Sequence, residues 1–566
     1  SELADGLSAF NSNGFTLGSS TLVNGNNSEY VGWTFREQPK FFDIVQYSGN
    51  GSAQTLSHNL GSTPGMIIVK RTDSAGSWRV FHRSLGETKT LTLQATGAAV
   101  TSSVYWNDTA PTSTQFTIGT DSSDNGGTYI AYLFAHNNSD GGFGPDSEDI
   151  IKCDSYTGNG STSGNFINVG FEPQFVLIKN RSSSANWVIF DNMRGVVTDG
   201  DDTSSGDIYL FPNSSTSEGG GIPIDFNSTG FTVYGTSART NTNSDGYIYM
   251  AIRRGGMSTP TVASDVFALG ARGASSPGFT SNFPVDMFIR SYTTTTGYPD
   301  IGSRLTGARS MQTSDNFAEG NDSSSTFDYM TGYYTSSSAD SNHLSWMWKR
   351  AKGYFDVVTY KGTGSATTVT HNLGVAPEMI WLKSRDSTEN WQVGADALTG
   401  TWTRILYLNL NSAESAENAV WWNNTAPTSS VFSIGTQDMN NKSGDDYIAY
   451  LFATVAGVSK VGSITGNGST SGDNQNIDCG FTNGAKFVLI KRTSGPGGWY
   501  LFDTTQGIVS GNDPFIALNT SGAAQTTNVD LIDTLSSGFV FNYNSDWSFN
   551  LSGNTYLFYA IANDPS

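Results

Sequence analysis

Short apolar runs rich in β-branched and aromatic side chains recur along the chain, each bounded by clusters of Gly, Asn, Ser and Pro. Runs of that kind predict strands, and the three-and-four spacing of an amphipathic helix is nearly absent. In Tyr129-Ile130-Ala131-Tyr132-Leu133-Phe134 neither alternate face carries a charged or amide side chain. A strand there is expected to be central and covered on both sides. By contrast Phe42-Asp43-Ile44-Val45-Gln46-Tyr47 mixes in polar residues and fits a strand with one wetted face. The turns Asn59-Leu60-Gly61 and Asn372-Leu373-Gly374 supply residues that tolerate a left-handed backbone.

These runs repeat. The stretch from Phe42 to Ala135 is matched by Phe355 to Ala453: both contain His-Asn-Leu-Gly (from His58 and His371), Trp-Asn-x-Thr-Ala-Pro-Thr-Ser (from Trp106 and Trp422) and the ending Tyr-Ile-Ala-Tyr-Leu-Phe-Ala (from Tyr129 and Tyr447). A second pair sets Gly158 to Gly164 and Phe175 to Lys179 against Gly466 to Gly472 and Phe487 to Lys491. Two looser signatures extend the family to the segment between them. An apolar run ends in a basic residue six positions after a proline, in Pro64 to Lys70, Pro173 to Lys179, Pro284 to Arg290 and Pro377 to Lys383, with Ala485 in the proline's place before Lys491. An aromatic follows eight positions after the basic residue: Trp78, Trp187, Tyr298, Trp391 and Trp499.

The closing run starts at Tyr30, Tyr129, Tyr247, His343, Tyr447 and Tyr556, with spacings of 96 to 118 residues. A period near a hundred residues makes each copy a domain rather than a rung of a solenoid. The expected organisation is all-β, a tandem array of antiparallel β-sandwich domains of about 100 residues. Its parts are a partial domain over 1–37, repeat I over 38–137, repeat II over 146–254, a divergent repeat III over 255–350, repeat IV over 351–455 and repeat V over 456–566. The partial domain reads as the C-terminal half of a repeat, with Phe15-Thr16-Leu17-Gly18 matching Phe116-Thr117-Ile118-Gly119. Either the chain begins within a domain or the missing strands come from elsewhere.

Composition narrows the function classes. With 30 basic and 50 acidic residues the net charge is −20, which disfavours nucleic acid or an anionic membrane as partner. No apolar run approaches the length of a membrane span, so insertion into a bilayer is not expected. The two cysteines, Cys153 and Cys479, read as buried free thiols rather than a disulfide framework.

Chemistry-bearing candidates are few. His58 and His371 read as turn residues, and His82 is matched by Ala395, so neither set defines a repeated reaction centre. Clustered Cys and His of the zinc type are missing from the sequence, and no metal site is assigned. The oxygen-rich stretches Asp199-Gly200-Asp201-Asp202 and Asp121-Ser122-Ser123-Asp124-Asn125 are the candidates for Ca2+, but neither has EF-hand spacing, and solvated acidic loops are expected. Nucleophile-elbow and phosphate-loop motifs are absent from the sequence, so no catalytic residue and no cofactor is assigned. The tryptophans after the basic residue fit a core plug. Trp106 and Trp422 precede polar turn sequences, so partial exposure is expected there, and these two are the candidates for stacking on a sugar.

The His-Asn-Leu-Gly-x-x-Pro-x-Met-Ile stretch, the Trp-Asn-x-Thr-Ala-Pro-Thr-Ser stretch and the Tyr-Ile-Ala-Tyr-Leu-Phe-Ala ending, over residues 42–135 and 355–453, resemble a β-repeat family of marine bacteriophage virion proteins. Many members look like tail fibres or particle-surface appendages. The resemblance carries no catalytic residues. It implies a non-enzymatic structural protein on the virion surface, a tail fibre or surface fibre contacting the host envelope, with other virion proteins, a host surface glycan or envelope component and further copies of itself as partners. A capsid-attached decoration protein, a secreted bacterial adhesin or carbohydrate-binding array, and a polysaccharide depolymerase are the alternatives.

Overall fold

The computed structural model describes residues 5–12, 14–122, 126–138, 148–196, 198, 207–255, 258–322, 324–335, 339–469, 475–509, 511–525 and 530–564. The candidate acidic loop at 199–202, residues 123–125 of the other, and residues 470–472 of the second Gly-Ser run lie outside them. Strands hold 41% of the residues and helices 4%, and the closing strand of each repeat pairs antiparallel with both its neighbours, so the fold is an all-β array of sandwiches.

One strand order recurs five times. In repeat I the first strand, Phe42–Ser48, lies beside the closing strand, Thr128–Phe134, which pairs on its other edge with the Pro-to-basic strand, Met66–Arg71, followed by Arg79–His82 and Lys89–Thr92. The closing strands Gly246–Arg253, Asp340–Trp348, Asp446–Phe452 and Thr555–Ala562 occupy the same place in repeats II to V. The run expected to be central is therefore the central strand. All seven residues of Asp446–Phe452 are buried, whereas Thr128–Phe134 buries one face more fully than the other. A smaller second sheet completes each sandwich, as where Gln54–Ser57 pairs with Gln115–Ile118 and Thr367–Thr370 with Val431–Ile434.

The turn histidines hold these layers in register. The Nδ1 of His58 accepts from the Leu60 amide at 3.2 Å, and its Nε2 meets the Thr112 carbonyl at 3.2 Å; His371 repeats both contacts with Leu373 and Thr428. The buried Asp43 and Asp356 carboxylates accept from the next amides, of Asn59 at 2.6 Å and Asn372 at 2.8 Å. Gly61 and Gly374 then turn the chain at φ of 71° and 78°.

Repeat III departs from the spacing rule. Lys70, Lys179, Lys383 and Lys491 each lie opposite the second residue of the closing run: Ile130, Ile248, Ile448 and Leu557. In repeat III that partner is Leu344, and it faces Ser291, not Arg290. The residue before the next strand, where Trp391 precedes Gln392, is likewise Pro299 and not Tyr298. The run is one residue shorter here, which turns Arg290 to the opposite face of the strand. There its guanidinium binds Asp322 at 2.8 Å, and Tyr298 is left 52% exposed.

The residues group into two compact units. One comprises Ser1–Phe190, Tyr209–Ile222 and Val233–Arg254; the other comprises Asp191–Ile208, Pro223–Thr232 and Gly255–Ser566, so repeat II contributes to both.

Candidate functional site: the seams between repeats

The conserved geometry of the Pro-to-basic strand builds seams rather than a cleft. Pro64, Pro173 and Pro377 are buried at or just before the strand's entry, where a missing N–H costs no ladder bond. At the far end the basic residue folds back onto nearby carbonyls. Lys179 Nζ donates to the Asn180 and Thr96 carbonyls at 2.8 and 3.0 Å, Lys383 to those of Ser384 and Ser387 at 2.7 and 3.2 Å, and Lys491 to that of Gly497 at 2.5 Å. Lys70 repeats the contact with Gly76 at 2.8 Å but remains half-buried, its ammonium 5.8 Å from the Trp78 ring centre.

Burial lowers Lys179 and Lys383 to about 8, and burial together with Arg492 lowers Lys491 to about 7. Below those values both folded and unfolded chains carry the proton, and the folding penalty of the buried charge is fully present. Between them and the ordinary lysine value near 10.4 the unfolded chain binds more protons, so stability rises with pH across that window. Lys491→Met is expected to flatten part of this rise, read as a smaller gain in Tm between pH 7 and 9.5 than in the parent; an unchanged slope would exclude a buried ammonium at Lys491.

The tryptophan eight positions on reaches into the neighbouring repeat. The indole Nε1–H of Trp187 donates to the Thr92 carbonyl at 3.1 Å, Trp391 to Gln312 at 2.9 Å and Trp499 to Tyr407 at 2.8 Å. Each acceptor ends the fifth large-sheet strand of the preceding repeat: Lys89–Thr92, Arg309–Gln312 and Leu406–Tyr407. All three rings are buried, as a core plug should be, but what they plug is a joint between two domains. Backbone bonds sew the same joints: Ala185 N to Thr96 O at 2.9 Å and Gly497 N to Asn411 O at 2.8 Å. Trp78, the copy in repeat I, is half-buried, stacked on Tyr132 at 6.5 Å.

In the unit containing Gly255–Ser566 the seams close into a ring of three. Repeat IV holds repeat III through Trp391 and through Arg385, whose guanidinium binds the Glu319 carboxylate at 2.8 Å with both side chains 2% exposed. Repeat V holds repeat IV through Trp499. Repeat III returns to repeat V, with Thr313 Oγ1 donating to Leu518 O at 2.7 Å and Gly297 N to Ser521 O at 3.1 Å. Pro299 has no donor to offer, and the Thr313 hydroxyl makes the joint instead. Between the three repeats lies one aromatic core, in which Trp348 meets Phe487 at 5.5 Å, Trp381 meets Trp499 at 6.5 Å and Phe452 meets Tyr559 at 5.1 Å.

The expectation for Trp106 and Trp422 is corrected. They are 2% and 0% exposed and present no ring face to a sugar. Each sits at the end of a single helical turn, Ser103–Trp106 or Ala419–Trp422. The turn starts on the side chain of Ser102 or Asn418 and stops at Asn107 or Asn423 in the left-handed region. The polar sequence that suggested exposure is the exit of this turn, whereas the tryptophan is its inward end. Trp106 packs edge-on to Phe81 at 5.6 Å. In repeat IV the position of Phe81 is Gly394, and Trp402 supplies the edge-on ring to Trp422 at 5.2 Å. A Cβ on Gly394 would lie 2.5 Å from Trp422 ring carbons. Trp422→Ala is expected to cost about 3–5 kcal/mol of stability and Gly394→Ala about 1–3 kcal/mol, both read by chemical denaturation; native-like stability in Trp422→Ala would restore the surface reading.

Cys153 and Cys479 are buried free thiols, and burial raises the pKa of both. His82 is buried, with Nε2 3.0 Å from the Tyr249 carbonyl, another joint between repeats I and II. Asp121, from the second acidic stretch, binds Arg79 at 2.7 Å. Among the described residues no three His, Cys, Asp or Glu side chains are grouped to hold a metal ion, and no helix is long and apolar enough to cross a membrane.

Sandwiches of one strand order, joined edge to edge through buried tryptophans, define an all-β tandem-repeat protein. Residues 1–254 and 307–565 match the model of a family described as a domain of unknown function, DUF7483, and the chain belongs to that family. No curated protein and no solved structure matches it.

Proposed function

We propose that the protein is a non-enzymatic structural component of a bacteriophage particle, a tail fibre or surface fibre that contacts the host envelope. The observation that carries this reading is the repeated seam: Trp187, Trp391 and Trp499 each spend a buried indole and its donor on a neighbouring repeat. Within each unit, seams of this kind hold neighbouring domains in fixed relation, a property that suits a surface appendage. The net charge of −20 and the resemblance of residues 42–135 and 355–453 to phage virion repeats support the same reading. Its partners are other virion proteins and an envelope component of the host. Repeated domains on one particle raise avidity without a strong single site.

Antibodies against this chain, applied to purified particles in electron micrographs, are expected to decorate the tail or a fibre. Decoration confined to the head would favour a capsid-attached protein. Bare particles, with the chain free in the culture medium, would favour a secreted adhesin. Release of reducing ends from host polysaccharide by the purified chain would overturn the non-enzymatic assignment.

A further inference from the structure

Repeat V opens a pocket at positions where repeat II carries bulk. Strand register fixes the counterparts: Ala485 faces Ala562 as Pro173 faces Arg253, and Asn563 N donates to Gly484 O at 2.8 Å as Arg254 N does to Glu172 O at 2.9 Å. Farther along, Ile532-Asp533-Thr534-Leu535-Ser536 stands where repeat II has Ile224-Asp225-Phe226-Asn227-Ser228. Glu172, Pro173, Phe226 and Arg254 are thus matched by Gly484, Ala485, Thr534 and Asn563, all four smaller. In repeat II the Glu172 and Phe226 side chains are buried. In repeat V the four smaller residues line a cavity of about 200 Å³.

The backbone fixes its walls. Gly484 N donates to Ser536 O at 2.8 Å, and Gly484 turns the chain at φ of 77°, a conformation that disfavours any side chain. A Cβ there would also meet the Leu535 carbonyl oxygen at 3.2 Å. The floor is apolar, with Ile508 and Phe539 buried and Leu535 half-buried. The rim is polar, made by the hydroxyls of Thr504, Thr534 and Ser536 and the amide of Asn563. None of these four side chains hydrogen-bonds to another described residue. Asn483 beside them spends its Nδ2 on the Asp564 carbonyl at 3.0 Å and keeps its Oδ1 as an acceptor. No ionisable side chain lines the cavity.

These features narrow the ligand. The volume lies below the about 300–1,000 Å³ of a site for a drug-sized molecule, so the pocket takes one small ring. An ion would sit there without a countercharge, which a partly enclosed site penalises. A wholly apolar ring would strip water from the rim and return no hydrogen bond. We propose that this pocket binds one neutral hexopyranose residue, with its C–H face on Ile508, Leu535 and Phe539 and its hydroxyls paired with the rim. The host envelope as the source of that sugar rests on the function proposed above; the chemistry of the pocket does not.

Saturation-transfer NMR of the full chain with the methyl pyranosides of glucose, galactose and mannose tests the site. At least one is expected to receive saturation, and its affinity is expected to fall about 10-fold or more in Thr534→Phe, which restores the residue of repeat II. The double variant Ser536→Ala, Asn563→Ala removes two rim groups without adding bulk and is expected to weaken binding as well. Calorimetry reports whether each variant is folded, and should Thr534→Phe unfold, the double variant decides. Methyl glucuronide, the same ring with a carboxylate, is expected to bind more weakly than the neutral sugars. Saturation of no neutral sugar, undiminished transfer in either folded variant, or preference for the glucuronide would each overturn the proposal. Particles labelled by antibody while no sugar binds would remove the pocket alone; binding lost in the variants while no particle is labelled would remove the virion reading alone.

Discussion

Trp499→Ala is expected to be among the most damaging single substitutions in the chain. Its ring is 1% exposed, packs against Trp381 and donates to the Tyr407 carbonyl, so truncation opens a cavity shared by two repeats and strands an acceptor. Loss of a buried aromatic of this size costs about 3–5 kcal/mol, and the unpaired carbonyl about 1–3 kcal/mol more. Trp499→Phe keeps most of the packing and isolates the second contribution. Tyr298→Ala, which removes an exposed ring from the position that sequence spacing equates with Trp499, is expected to stay within about 0.5 kcal/mol of the parent. Calorimetry of the three variants checks the order; a Trp499→Ala protein within about 1 kcal/mol of the parent would remove the seam from the account of stability.

The second large effect is expected at Glu319 and Arg385. Their carboxylate and guanidinium meet at 2.8 Å with both side chains almost wholly out of solvent, and the Glu319 amide donates to the Arg385 carbonyl at 2.8 Å alongside them. Removing one partner leaves a buried charge, so Glu319→Leu or Arg385→Met is each expected to cost about 3–5 kcal/mol. The double variant replaces the pair with apolar volume and is expected to recover most of the loss. Urea denaturation of the four proteins measures the coupling. Two single losses that simply add would show that the pair does not act as a unit.

Much of the sandwich was legible because it rests on local composition. Tyr129 to Phe134 lacks a wet face and is the centre of its sheet; Phe42 to Tyr47 has one and lies at the edge. The tryptophan after the basic residue was legible as a buried group, but its acceptor was not. Gln312 and Tyr407 accept through backbone carbonyls, which every residue has, so no side-chain pattern marks them. Trp106 and Trp422 were misread because a helical turn of four residues is too short to leave a periodicity. Arg290 and Tyr298 kept the spacing of the motif and lost its place, because one residue fewer before the strand's end exchanges the two faces. Glu319 and Arg385 come from different repeats and share no motif.

The central position of the closing strand also governs how such a chain comes off the ribosome. In repeat IV the first strand, Phe355–Lys361, and the Pro-to-basic strand, Met379–Ser384, emerge early, yet neither pairs with the other; both wait for Asp446–Phe452. Until that strand is translated, the edges that will face it have no native partner, although Met379–Ser384 already pairs with Gln392–Ala395 on its other side, and closure of the sheet is slow and long-range. Each domain therefore matures only as its last residues appear, in step with synthesis from one end to the other.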